Sequence, residues 1–152
     1  MKLSNNFSLE EMIFSQTAIR KNIVNSPTED HQAALGLLCA KLLQPVRDQF
    51  GPVVLSSGYR SHALNLAIGG ASSSQHSKGE AADFSCQSAD NYVVSNWIAN
   101  NLVFDQLILE YFDVVEPAKG WIHCSWSGER NRKEILIASK QNGRTVYENF
   151  SF

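Results

Sequence analysis

Cysteine is scarce in this chain: Cys39, Cys86 and Cys124 are the only three, and an odd trio rules out a fully paired disulfide framework. Cys39 falls within a Leu/Ala helical pattern and reads as plain core. Long apolar runs are missing too; none reaches the length of a membrane span, and Met1-Lys2-Leu3-Ser4-Asn5-Asn6 lacks the apolar stretch of a secretory signal. The expectation is a protein made and folded as a soluble cytoplasmic chain. An excess of charge is equally absent. Thirteen basic against 15 acidic residues give a net charge of −2, which excludes a general attraction to nucleic acid or anionic membrane. The one basic gathering, Arg130, Arg132 and Lys133, reads as a solvated loop. Internal repeats and linkers are lacking, so residues 1–152 are expected to form one domain and to act as a monomer.

What is present is ordinary globular material. An apolar content of 43% suffices for a chain of this length to bury roughly 70% of its extended surface without staples. Ser8 with Glu11 three residues on forms a capping box for a short helix through about Ser15. Ser26-Pro27 with Glu29 predicts the start of the main helix, with proline at its first position. Leu35, Leu38, Leu42, Val46 and Phe50 supply the buried stripe of that helix, Pro45 predicts a kink and Gly51 ends it. Val53–Ser57 reads as a strand, Ser61 caps a short helix through Ile68, and the small polar run Ala71 to Ser74 is a loop leading to His76. Ala81–Cys86 reads as a strand and Asp90–Asn101 as a helix with Val93, Val94, Trp97 and Ile98 inward. Four strands follow at Gln106–Tyr111, Trp121–Ser127, Glu134–Ser139 and Thr145–Phe150, the last two joined by Asn142-Gly143, a type I′ hairpin signal. Helices first and then an antiparallel meander predict an α+β fold, with N-terminal helices packed on a mainly antiparallel sheet.

Two histidines and one aspartate carry the chemistry. In Ala81-Ala82-Asp83-Phe84 the alternation of a strand sends Asp83 to the side opposite Ala82 and Phe84, and a carboxylate buried there requires a metal or a cation. His123, between Ile122 and Cys124, shares its face with Trp121 and Ser125, which leaves Cys124 in the core. His76 stands seven residues before Asp83 and His123 forty after it. Two imidazoles and a carboxylate leave a fourth tetrahedral position open on zinc, as a catalytic site needs. Glu110 ends the apolar strand Leu107-Ile108-Leu109, where its pKa is raised toward that of a general base. Arg60 follows the turn at Gly58 and offers a planar cationic fork, or a salt bridge to a helix end. His31 and His62 fall in no ligand motif, and His31 reads as helix surface. No nucleophile elbow and no Ser-His-Asp triad is present.

The runs Ser57-Gly58-Tyr59-Arg60-Ser61, Leu64-Asn65, Gly69-Gly70, Ser74-Gln75-His76, Ala81-Ala82-Asp83 and Trp121-Ile122-His123, in that order, resemble the M15 group of zinc peptidases. The group includes D-alanyl-D-alanine carboxypeptidases, bacteriophage endolysins and murein endopeptidases, and its small phage-type branch is the nearest likeness. The resemblance implies one zinc per chain held by His76, Asp83 and His123, with bacterial peptidoglycan peptides as substrate. It implies Arg60 as an anchoring or polarising residue and matches Ser74 to a substrate-contacting serine. Many members place the catalytic glutamate three residues before the last histidine. Gly120 stands there in this chain, so Glu110, at the end of the equivalent strand, is the expected base, with Glu116 as its rival. A wall-degrading enzyme without an export signal fits a phage lysin, released on lysis or carried in a virion, and such a lysin breaks crosslinks as an endopeptidase. D,D-carboxypeptidase action is the alternative. The metal-binding domain of hedgehog proteins is also similar around the His, the Asp and the Ile-His-Cys-Ser run, which implies another alternative, a zinc-stabilised binding module without turnover.

Overall fold

A computed structural model describes residues 1–152. Its helices are α1 (Leu9–Ile13), α2 (Gln16–Lys21), α3 (Glu29–Leu38), α4 (Gln44–Phe50), α5 (His62–Ala67) and α6 (Asn91–Asn101). Its strands are β1 (Val53–Ser57), β2 (Ala81–Cys86), β3 (Gln106–Glu110), β4 (Trp121–Ser125), β5 (Glu134–Gln141) and β6 (Arg144–Asn149). This is the expected α+β arrangement.

The first helices are set by their caps. Ser8 Oγ accepts from the Glu11 amide and Glu11 Oε2 accepts from the Ser8 amide, closing the capping box. Helix α1 stops at Ile13, and a second short helix, α2, not foreseen from the sequence, starts where Ser15 Oγ accepts from the Ala18 amide. The main helix begins later than expected. Thr28, not Ser26, is its cap, accepting from the His31 amide at 3.2 Å, so Pro27 precedes the cap and does not occupy the first turn.

Pro45 does not produce the expected kink in isolation. A π turn over Cys39–Leu43 separates α3 from α4, with the Gln44 amide bonded to the Cys39 carbonyl. Pro45 thus enters α4 in its first turn, where a missing N–H leaves no helical bond unmade. Leu35, Leu38, Cys39, Leu42, Leu43 and Val46 remain fully buried through this change of pitch. Gln44 fastens the N-terminal arm: its Oε1 accepts from Ser4 Oγ and the Asn6 amide, and its Nε2 donates to Asn6 and Asp48.

In α6 the buried line is Asn91, Val94, Ser95 and Ile98, at the i, i+3, i+4, i+7 spacing of one helix face. Trp97 packs edge-on against Phe50, whereas Val93, expected inward, falls one position off that line and is exposed.

The six strands form one sheet in the order β1-β2-β4-β3-β5-β6. It is mainly antiparallel but not the expected meander: β4 inserts between β2 and β3, and β5 runs parallel to β3. Asn142 and Gly143 both have φ near the left-handed value, 51° and 77°, as a type I′ turn between β5 and β6 requires. One face of the sheet presents Ala82, Phe84, Cys86, Leu107, Ile122 and Cys124 to the helices, in a single apolar core. Burying a side chain such as Phe84 or Ile122 contributes roughly 1.5–3 kcal/mol. The opposite face is left for the site. No helix is long and apolar enough to cross a membrane.

Candidate metal centre

Strand register decides which side chains meet on the open face. Asp83 pairs with His123, His123 with Ile108 and Ile108 with Leu136, so these four form one row across the sheet. The next row runs Trp121, Glu110, Ala138, Tyr147. Pleating points both rows away from the helices, because Ala82, Phe84, Cys124 and Ile122 occupy the alternate positions.

His76 reaches the first row from outside the sheet. A 3-10 turn, Gln75–Lys78, carries it, with Ser74 Oγ accepting from the His76 amide at 3.2 Å. Its Nδ1 lies 2.8 Å from the Gly58 carbonyl oxygen, which only accepts, so Nδ1 carries the proton and Nε2 is the free nitrogen. That nitrogen faces Asp83 Oδ2 at 3.3 Å, and His123 Nδ1 lies 3.0 Å from Asp83 Oδ1. Donor atoms of His76, Asp83 and His123 fall within 4.8 Å of one another.

The electrostatics suit a cation. Burial alone would raise the Asp83 pKa, but the hydrogen bond with His123 and the close His76 ring outweigh it and hold the carboxyl well below the usual range. Burial lowers the His76 pKa, favouring the neutral imidazole that coordinates metal. Two nitrogens, one carboxylate oxygen and a tautomer fixed by a backbone carbonyl are a donor set that fits zinc.

Arg60 stands beside this group, but not at a helix end. Its NH2 donates to Asp83 Oδ2 at 3.2 Å, Nε to Ser57 Oγ at 3.0 Å and NH1 to Asn65 Oδ1 at 3.3 Å. Glu110 closes the floor on the neighbouring strand. It is buried, and desolvation raises its pKa against the opposing pull of His123 and Arg60. Glu116 is exposed in the β3–β4 connection, away from the cleft lining that includes Glu110. Ser74 lies at the cleft edge. Cys124 is buried in the core as expected, and burial pushes the Cys39 thiol up to about 12.

Some residues depart from expectation. His31 is half-buried, its Nδ1 is 3.2 Å from Tyr59 Oη, and it lines the cleft instead of the helix surface. Arg132 is not simply solvated: its Nε and NH2 donate to the two carboxylate oxygens of Asp105 at 2.8 and 3.0 Å. Asp105 Oδ2 also accepts from Gln75 Nε2 at 3.0 Å, tying the turn that bears His76 to the start of β3. Sequence reading missed Gln75, Asp105, Trp126 and Tyr147 as parts of the cleft. Their only local signal is residue type; what places them there is long-range pairing.

The cleft above these residues measures about 1750 Å³, and its lining includes Gly69, Gly70, Ser74, Arg130 and Tyr147. It is larger than the roughly 300–1,000 Å³ usual for small ligands. A His-Asp-His donor set on the floor of a long cleft, with a desolvated glutamate on the next strand, defines the class of metal-dependent hydrolases. The Peptidase M15 family model matches residues 5–125, well over half of the chain, and the protein belongs to that family. It is therefore a metallopeptidase, of a family of zinc peptidases acting on peptidoglycan-type substrates. No curated protein matches the chain significantly.

Proposed function

We propose that the protein is a zinc-dependent endopeptidase that hydrolyses an amide bond in murein stem or crosslink peptides, as an endolysin does. The observation that carries this reading is the His76, Asp83 and His123 donor set beside Glu110 on one open sheet face. His76 Nε2, His123 Nδ1 and an Asp83 oxygen would hold the ion. A zinc ion there supplies Lewis acidity toward both the scissile carbonyl and water.

The protein's own side chains account for the rest. Glu110 accepts the proton of the attacking water on a carboxylate oxygen as the new C–O bond forms. It then donates that proton to the departing amine nitrogen as the C–N bond breaks. A raised pKa brings this carboxyl nearer to the working pH of such a shuttle. Arg60 contributes fixed positive charge next to Asp83, where the carbonyl oxygen gains negative charge.

Two features favour internal cleavage over removal of a terminal D-alanine. The cleft is lined, beyond the donor set, by the loop before His76 and by Tyr147 of β6. The Arg60 fork is already engaged by Asp83, Ser57 and Asn65, which suits a polarising role better than capture of a terminal carboxylate. The decisive experiment is mass spectrometry of peptidoglycan fragments after incubation with zinc-loaded protein. New internal termini are expected, with little loss when a substrate's C-terminus is amidated. Glu110→Gln should keep zinc and lose about 100-fold or more in turnover, while Glu116→Gln stays silent. Free D-alanine as the main product, abolished by amidation, would make the protein a carboxypeptidase. Zinc binding without any cleavage by the wild type would leave a binding module.

A further inference from the structure

Residues beyond 125 lie outside the span matched by the family, yet they build one wall of the cleft. In that wall, Tyr147 on β6 pairs with Ala138 on β5, and Ala138 with Glu110 on β3. The three side chains therefore share a face, with Tyr147 two strand spacings, roughly 10 Å, from Glu110. Ala138 is fully buried and, with no side chain beyond Cβ, leaves the space above it open between the two. Tyr147 itself is 53% exposed and lines the cleft together with Glu110, Trp121 and Leu136.

The two tyrosines near this wall are used differently. Tyr111 Oη is engaged with Thr145 Oγ1 at 2.6 Å and its ring packs on Trp121. Tyr147 keeps its hydroxyl free of protein partners. A half-exposed phenol in the cleft lining offers one donor and one acceptor, as a peptide group needs. Arg60 stands on the β1–β2 side of the donor set and Tyr147 on the β6 side, so the pair brackets the row where the scissile bond would sit.

We infer that Tyr147 is a substrate-binding residue, whose hydroxyl hydrogen-bonds the backbone of the peptide on the Glu110 side of the scissile bond. The inference rests on the peptidase reading for the identity of the ligand, and on the sheet register for the contact. It assigns part of substrate selection to the hairpin that the family match does not cover.

The test separates the two. A crosslinked stem-peptide dimer is titrated into zinc-loaded protein carrying Glu110→Gln, with and without Tyr147→Phe. Loss of one neutral hydrogen bond predicts binding about fivefold weaker in the Phe variant. In the otherwise wild-type enzyme, Tyr147→Phe should raise KM by a similar factor with kcat and zinc content unchanged, a split that a merely structural role does not give. Equal affinity and equal KM in the Phe variant would overturn the role of Tyr147 and leave the peptidase reading intact. A wild type that binds the dimer without cutting it would overturn the peptidase reading, and the binding comparison would still decide Tyr147. Absence of binding would sink both.

Discussion

The three central strands and the C-terminal hairpin are two different kinds of sheet. Strands β2, β4 and β3 are buried along nearly their whole length, whereas β5 and β6 leave most residues half-covered or exposed. In the centre even Asp83 and Glu110 are buried: His76, His123 and Arg60 surround the first, whereas desolvation dominates at the second and raises its pKa. A one-residue slip there would turn the donor set into the apolar core and Phe84 into the cleft. In the hairpin a comparable change would turn over Ile135 and Ala138 but move no donor. Chemistry is thus fixed where register is fixed, and the hairpin is free to vary in what it presents to substrate.

The largest effect that would break this contrast is loss of a central donor. His76→Ala and His123→Ala should each lose bound zinc and reduce turnover by more than about 100-fold, as read by metal analysis and peptide release. His31→Ala should leave zinc content unchanged. Full metal retention in both central variants would dismantle the site.

Next in size is a support of the centre that does not touch it. Asp105→Asn removes the charge that holds Arg132 and, through Gln75, steadies the turn bearing His76. A drop of about tenfold in zinc affinity is expected, measured by chelator competition. The pH dependence follows from the sign of the shift. Hydrogen bonding to Arg132 lowers the Asp105 pKa in the folded protein. Its stabilisation is therefore complete above the unfolded value of about 4 and is lost as pH falls through the lower folded value. Urea midpoints of wild type and Asp105→Asn should differ at pH 7, with the gap narrowing as pH falls below about 4; a gap that widened in acid would refute the pairing.

The hairpin should respond on a smaller scale. Gly143→Ala places a Cβ at φ +77° and should cost about 1 kcal/mol in denaturant unfolding with zinc affinity unchanged. A loss of zinc affinity in that variant would show the hairpin to be part of the centre after all. Smallest of all, Val115→Ser, at a residue 83% exposed in the β3–β4 connection, should stay within about 0.5 kcal/mol of wild type.

Much of this was legible in the sequence because it is local. The Ser8–Glu11 box, the Ser61 cap and the Asn142-Gly143 turn each depend on residues within three positions. The alternation around Asp83 and His123 directly sorts core from cleft. Helix α2, with only six residues, offers too little periodicity to be seen. Thr28 and Ser26 are both good caps, and sequence cannot choose between them. The parallel pairing of β3 with β5, and the entry of Tyr147 and Asp105 into the cleft, depend on partners dozens of residues away. Local propensity carries no record of those partners.

The carbonyl that orients His76 belongs to Gly58, and its surroundings reach back to the start of the chain. The Tyr59 amide donates to the Met12 carbonyl at 2.7 Å, and a Cβ at Gly58 would strike that same oxygen. Mechanically, α1 is a backstop: the imidazole can be held no more stiffly than the peptide behind it, and that peptide leans on residue 12. Detaching the first two helices should therefore blur the aim of a nitrogen more than sixty residues downstream, even though neither helix approaches the metal centre.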